Sequence, residues 1–260
     1  MTDANALNQA SCPRVVVLSL ASDFGCQIQI TNFPELLAMV GTIDLSYWQL
    51  ATSADMPDSY DVAVIEGAVT LDEHVRLLQQ VRKTAGVVIA IGACAVTGGV
   101  PGLVGTGDLD TARDLVYGED ATIVKQHRLV PAPVSSVIEV DYRVPGCPID
   151  PAEFSALLQQ ALLGARERLD RTPLCAACQT IENPCFWLRG KACLGLVTRT
   201  GCGALCLSRD RACTGCRGIA ADANLESARR YLREGGFDVK AFDKALEVYN
   251  TYEVNEVARS

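Results

Sequence analysis

The chain alternates short apolar runs with amphipathic stretches. Arg14-Val-Val-Val-Leu-Ser-Leu20 is a β-branched run that closes in Ala21-Ser-Asp-Phe-Gly25, the pattern of a strand feeding a turn. The spacing predicts a helix from Gln27 to Met39, bent or interrupted at Pro34. Leu45–Leu50 and Asp61–Glu66 read as the next strands, the latter closed by Gly67. Between Leu71 and Val81 the apolar residues stand at 71, 75, 77, 78 and 81, one stripe of a helix. Gly86-Val-Val-Ile-Ala-Ile-Gly92 is apolar on both faces, as a strand covered on both sides requires. Thr97–Gly107, with five Gly and one Pro, reads as a loop, Val137–Val144 as a last extended segment and Pro151–Arg166 as a closing helix. Strands alternating with helices point to an α/β domain over residues 1–170. Its expected core is a doubly wound parallel sheet of flavodoxin-like type, with ligands at the carboxyl ends of the strands.

The pattern breaks near Arg171-Thr-Pro173. Residues 175–218 have little periodicity and hold six Gly and eight Cys, too few apolar positions for a core of their own, so something else must hold them together. Asn224–Arg233 and Lys240–Val248 read as helices, so residues 171–260 form a small cysteine-rich domain with a helical tail.

The 260 residues are 49% hydrophobic and carry 23 Lys and Arg against 31 Asp and Glu, a net charge of −8. That balance argues against a nucleic-acid partner, which needs a basic face. The longest nearly apolar run, Ala85–Val96, has 12 residues and is too short to span a bilayer, so no membrane partner is expected. The N-terminus shows neither a basic n-region nor an apolar h-region, so the reducing cytoplasm is the expected compartment. There, dense cysteines hold metal more often than each other.

Cys26, Cys94 and Cys147 each follow a predicted strand and each has a Gly within two residues. Small apolar cysteines can fill a core singly. Three at strand ends, which the topology brings to one sheet edge, favour a metal group, with Asp23 the nearest candidate for a fourth ligand. Gly25 lets the backbone pass close to such a group. The other eight are spaced Cys175-x2-Cys178-x6-Cys185-x7-Cys193-x8-Cys202-x3-Cys206-x6-Cys213-x2-Cys216. Two sets of four suit two [4Fe–4S] clusters, with two structural zinc sites as the rival; the segment has no histidine. A sequential partition and the interleaved one of ferredoxin-like domains both fit the spacing. The segment holds Arg189, Lys191, Arg199, Arg209, Arg211 and Arg217 against Glu182 and Asp210, an excess that negatively charged metal–thiolate groups would offset without choosing the metal. Cys12 is left as a free thiol. Glu66 reads as a carboxylate that caps a nearby helix or binds backbone amides, and His74 and His127 as surface residues.

Asp23-Phe-Gly-Cys26, Ile65-Glu-Gly67, Gly92-Ala-Cys94, Pro145-Gly-Cys-Pro148, Cys193-Leu-Gly-Leu-Val-Thr-Arg-Thr-Gly-Cys-Gly203 and Cys213-Thr-Gly-Cys-Arg-Gly218 occur in one order. In that combination the chain resembles the small, electron-transferring subunit of [NiFe]-hydrogenases, most of all the cytoplasmic sulfhydrogenase-type and cofactor-reducing members. The resemblance implies three [4Fe–4S] clusters. The proximal one would sit on Cys26, Cys94 and Cys147, with Asp23 where the family has a cysteine; an open iron site and a three-iron cluster are the rivals of a carboxylate-ligated cubane. It also implies a NiFe-containing large subunit that holds the hydrogen-activating site. Further partners would be flavin and iron–sulfur diaphorase-type subunits reducing NAD(P), with a deazaflavin- or ferredoxin-linked acceptor as the alternative. A zinc-stabilised assembly module and a subunit of a related quinone-reducing complex are the competing classes, the last ranked lowest because it lacks the eight-cysteine tail. The resemblance also leads one to expect an exposed apolar patch beside the proximal cysteines.

Overall fold

The structure, a computed structural model, describes residues 12–34, 41–106, 109–118, 128–165 and 172–259. His127 and positions 35–39 of the helix expected after the first strand lie outside them. Five parallel strands, β1 (Arg14–Ser19), β2 (Asp44–Trp48), β3 (Val62–Glu66), β5 (Val87–Ile91) and β7 (Tyr142–Val144), form one sheet in the order β2-β1-β3-β5-β7. This is the flavodoxin-like order, with its reversal between β1 and β3. A two-stranded antiparallel pair, β4 (Val69–Leu71) with β6 (Arg128–Ala132), stands apart.

The strand residues alternate between two cores. Val15, Val17, Val64, Ile89 and Ile91 face Trp48, Phe154 and Leu158, while Val16, Leu18, Ala63, Ile65, Val88 and Ala90 face Leu78, Val81, Ala95 and Val96. A period of two inside a run apolar at every position is what buries both faces of a parallel sheet. Helix α1 (Gly25–Thr31) follows β1, α2 (Asp72–Thr84) follows β4, α3 (Gly92–Thr97) follows β5, and α4 (Leu109–Tyr117) precedes β6. The closing helix α5 spans Pro151–Leu162, with Asp150 accepting from the Ala152 and Glu153 N–H groups and proline at its start.

The first helix stops at Thr31, so the chain is interrupted just before Pro34, where the break is expected. Three other sequence expectations change. The glycine-rich stretch after Thr97 is a 3₁₀ helix over Val100–Thr106, packed against the C-terminal helix, and α4 follows it unforeseen. The last strand begins only at Tyr142, after a 3₁₀ turn over Val134–Ser136. At Asp141 the main-chain N–H donates to the Val88 carbonyl at 3.0 Å, while the carboxylate accepts from the Val88 N–H at 2.7 Å and from Arg82 at 2.6 Å, so a side chain takes the second bond a ladder would use. The closing helix stops at Leu162, where Gly164 turns left-handed.

The cysteine-rich half contains α6 (Leu174–Thr180), α7 (Leu205–Ser208) and tight turns tied by isolated bridges between Pro173 and Arg199 and between Thr198 and Ile219. Residues 175–218 do not complete an apolar core by themselves; the helical tail closes it. Leu174, Phe186, Leu194, Val197 and Leu207 pack with Leu225, Ala228, Leu232, Phe242 and Leu246. The last five come from α8 (Leu225–Glu234) and α9 (Val239–Arg259), so the tail supplies the apolar surface that the turns lack.

Arg217 joins the halves. Its side chain, 5% exposed, makes a two-pronged pair with Glu153 of α5 at 2.7 and 2.8 Å and donates to the Pro145 and Thr200 carbonyls, each at 2.8 Å. Replacing it by alanine strands a partly buried carboxylate and two carbonyls. R217A is therefore expected to cost about 3 kcal/mol, read as a lowered midpoint in denaturant unfolding, with R217K recovering only part because ammonium lacks the fork.

Candidate metal centres

The register fixes where the first three cysteines meet. Ser19 pairs with Glu66, Glu66 with Ile91 and Ile91 with Val144, so β1, β3, β5 and β7 end level. Cys94 and Cys147 each lie three residues beyond an end, and Cys26 seven beyond, in the first turn of α1. The Ala93 N–H donates to the Gly146 carbonyl at 2.7 Å and so holds two of the three turns together. Gly92, at φ +82°, is needed at close quarters, since a Cβ there would stand 2.5 Å from the Cys26 Sγ.

These turns enclose a cavity of about 600 Å³ lined by Asp23, Cys26, Glu66, Cys94 and Cys147, with Ile28, Val100 and Pro101 at its side. Ile28 and Val100 are 45% and 46% exposed, the apolar patch expected beside these cysteines. Asp23 accepts from the Gly25 N–H at 2.9 Å, and Phe24 between them is left-handed, a strained turn at the mouth of the site. Burial, then the charge of Glu66, pushes the Cys26 thiol up. Burial pushes Cys94 up to about 11, with the charges of Cys147, Asp23 and Glu66 adding to it.

Glu66 does what its motif suggested, accepting from the backbone N–H of Cys26 at 3.0 Å. It also accepts from Gln27 at 2.8 Å, and Gln27 accepts from the Trp48 ring N–H at 2.6 Å. Gln27 is fully buried, a role no local sequence signal reveals. His74, expected at the surface, is half-buried, accepts from the Thr70 N–H and is held below its ordinary pKa by burial.

None of the twelve cysteines is in a disulfide, and the exposed Cys12 donates to the Gly41 carbonyl. The eight C-terminal thiols fall into two neighbourhoods. Burial raises Cys175 to about 11, and Cys193, Cys178 and Cys185 crowd it. Burial likewise raises Cys216 to about 11, and Cys202, Cys206 and Cys147 crowd that thiol. Cys213, raised by burial to about 12, adjoins both Cys216 and Cys193 and has its sulfur against the Gly215 N–H and the Thr198 hydroxyl.

An amide–sulfur bond links the two neighbourhoods, and a second amide approaches from the sheet edge. The Cys213 N–H donates to the Cys193 sulfur at 3.3 Å, and the Cys147 amide lies near enough to the Cys216 sulfur to favour its thiolate. The Tyr249 hydroxyl, on α9, lies near Cys147, Cys216 and Cys94; burial first, then the charge of Cys147, pushes it up. No motif marks Tyr249, because only the packing of α9 on α3 brings it there.

Among the described residues no three His, Cys, Asp or Glu side chains converge tightly enough to chelate one metal ion. A single zinc, with Zn–S bonds of about 2.3 Å, would need its sulfurs within roughly 4 Å of each other. Soft donors spread around a cavity of about 600 Å³, as Cys26, Cys94 and Cys147 are, fit a many-atom iron–sulfur group better. No helix among the described residues is long and apolar enough to cross a membrane.

A flavodoxin-like sheet with cysteines at its switch-point edge, backed by a compact cysteine-rich domain, defines the small, electron-transferring subunit of a hydrogenase, an oxidoreductase component whose hydrogen-activating site lies in the large subunit. A family profile described as NADH ubiquinone oxidoreductase, 20 Kd subunit, matches residues 24–161, and the chain belongs to that family. Its similarity within the family is to hydrogenases. It is 31% identical to sulfhydrogenase 2 subunit delta of Pyrococcus furiosus, across 84% of this chain and 91% of that protein. It is 29% identical to a subunit of the vhu F420-non-reducing hydrogenase of Methanococcus voltae, across 89% of this chain and 92% of that protein. A chain in the crystal structure of an NAD+-reducing [NiFe]-hydrogenase in the H2-reduced state superposes with a TM-score of 0.54 at 25% identity, over 62% of this chain and 96% of that one.

The raised thiols set a pH dependence. The fold holds Cys94, Cys175, Cys213 and Cys216 neutral, so their contribution to the stability of the metal-free chain is fully present below about pH 9 and is lost as pH rises through 11–12. Thermal melts of metal-free protein from pH 8 upward should show this decline, and iron- and sulfide-loaded protein, whose thiols are already ligands, should not.

Proposed function

We propose that the chain carries three [4Fe–4S] clusters. Cys26, Cys94 and Cys147 with Asp23 would hold the proximal one, Cys202, Cys206, Cys213 and Cys216 the medial, and Cys175, Cys178, Cys185 and Cys193 the distal. The observation that carries this reading is the series arrangement. The Cys213 amide donates to the Cys193 sulfur, and the Cys147 amide, at the sheet edge beside Arg217, lies near the Cys216 sulfur, which supports placing the three proposed sets one after another. Bound there, such clusters would take up and pass on single electrons. Cysteine sulfurs hold them, the Cys147 and Cys213 amides polarise sulfurs of the neighbouring set, and the apolar cores keep water away.

In this role the chain joins a NiFe-containing large subunit, docked over the Ile28 and Val100 edge, to a flavin and iron–sulfur module that reduces NAD(P) in the cytoplasm. The likeness to an NAD+-reducing enzyme supports that acceptor over a deazaflavin or a ferredoxin. Asp23 replaces a thiolate with a harder donor, which alters the potential of the first acceptor.

Anaerobically purified protein should contain about twelve iron and twelve sulfide per chain, as three cubanes require. Stoichiometric zinc with no reducible EPR signal would establish the assembly-module reading instead. D23C should shift the proximal EPR and Mössbauer signals and the potential; unchanged spectra and potential would remove Asp23 from the ligand set. H2-dependent reduction by the native complex, assayed in turn with NAD, NADP, a deazaflavin and ferredoxin, identifies the acceptor.

A further inference from the structure

The ends of the two C-terminal cysteine sets reach solvent on one face. Cys185 and Cys206 are exposed, whereas Cys178, Cys193 and Cys213 are buried. Their segments lie side by side, with Asn183 donating to the Ser208 hydroxyl at 3.2 Å and Arg189 paired with Asp210. Leu188, 82% exposed, lies three residues after Cys185 on a turn whose Phe186 ring is buried beneath the Arg189 and Lys191 cations at 4.8 and 5.9 Å.

The charge of this face opposes that of the whole. The chain is −8, yet here Arg189, Lys191, Arg209 and Arg211 meet only Glu182 and Asp210, and Asp210 already serves Arg189. Lys191, Arg209 and Arg211 are exposed. Cations around a protruding leucine make a surface that steers an anionic partner and offers it one apolar anchor.

We propose that the face formed by Cys185, Leu188, Lys191, Cys206, Arg209 and Arg211 is the docking surface for an electron-accepting protein that presents carboxylates around its own redox group. This inference rests on the electron-transfer reading and adds to it where the acceptor sits and what recognises it. The Ile28 and Val100 edge, beside the first three cysteines, belongs to a separate and apolar contact. Rim charges of this kind act chiefly on the rate of encounter and on its salt dependence, while the leucine resists dissociation.

The test uses the native hydrogenase complex and an acidic two-cluster ferredoxin as probe. A carbodiimide, which joins amines to carboxylates without a spacer, should link Lys191 to the ferredoxin or to an acidic partner subunit. Links found only on other faces would overturn the proposal. The triple variant K191E/R209E/R211E, checked for full iron content and an unaltered EPR spectrum, should bind the ferredoxin about tenfold more weakly at low salt, as three exposed charge pairs imply. Its affinity should also lose most of its salt dependence. Should the triple variant lose iron, K191Q with the same two readouts decides. Binding and salt dependence equal to wild type would overturn the docking face while leaving the electron-transfer reading intact; only absence of reducible clusters in the wild type would remove the latter.

Discussion

Arg217 is the interaction on which the arrangement of the molecule depends. Its guanidinium leaves water almost completely, a cost offset by Glu153 on one side and the Pro145 and Thr200 carbonyls on others. A buried cation is tolerable only when every donor finds an acceptor in fixed geometry. The acceptors come from both halves, and one adjoins Gly146-Cys147. Placing Arg217 therefore places Cys216 beside the sheet edge where Cys147 emerges. Within the cysteine-rich half, Glu253 of α9 ties the tail to the turns, accepting from the Ile219 N–H at 2.9 Å while facing Arg199.

The basic excess of the cysteine-rich segment divides in two once this is seen. Arg217 and Arg199 turn inward onto carboxylates of α5 and α9. The remaining cations stand on the outside, and a composition count cannot separate the two uses. Nor can it show that α8 and α9 close the apolar core of the segment they follow.

Much of the sheet was legible because its residues obey one rule at a time. Val87–Ile91 is apolar throughout and short, so only a strand buried on two faces suits it, and the cysteines after the strand ends follow from topology. Where two rules competed, pattern reading failed. Asp141 looked like part of a strand until its carboxylate captured the Val88 amide, and the glycines after Thr97 looked like a loop until α9 packed on them. In the site, Asp23, the cysteines and Glu66 announced themselves by motif. Gln27, Tyr249 and Arg217 did not, since each works through partners at least 20 residues away in sequence or through several elements at once.

Cys147 and Cys213 share an unusual double duty. On the proposed partition the side chain of each belongs to one ligand set, while its main-chain amide lies near a sulfur of the next. Exchanging either residue thus edits two rings together. Energies assigned ring by ring will not sum, and the natural unit of variation here is the adjoining pair.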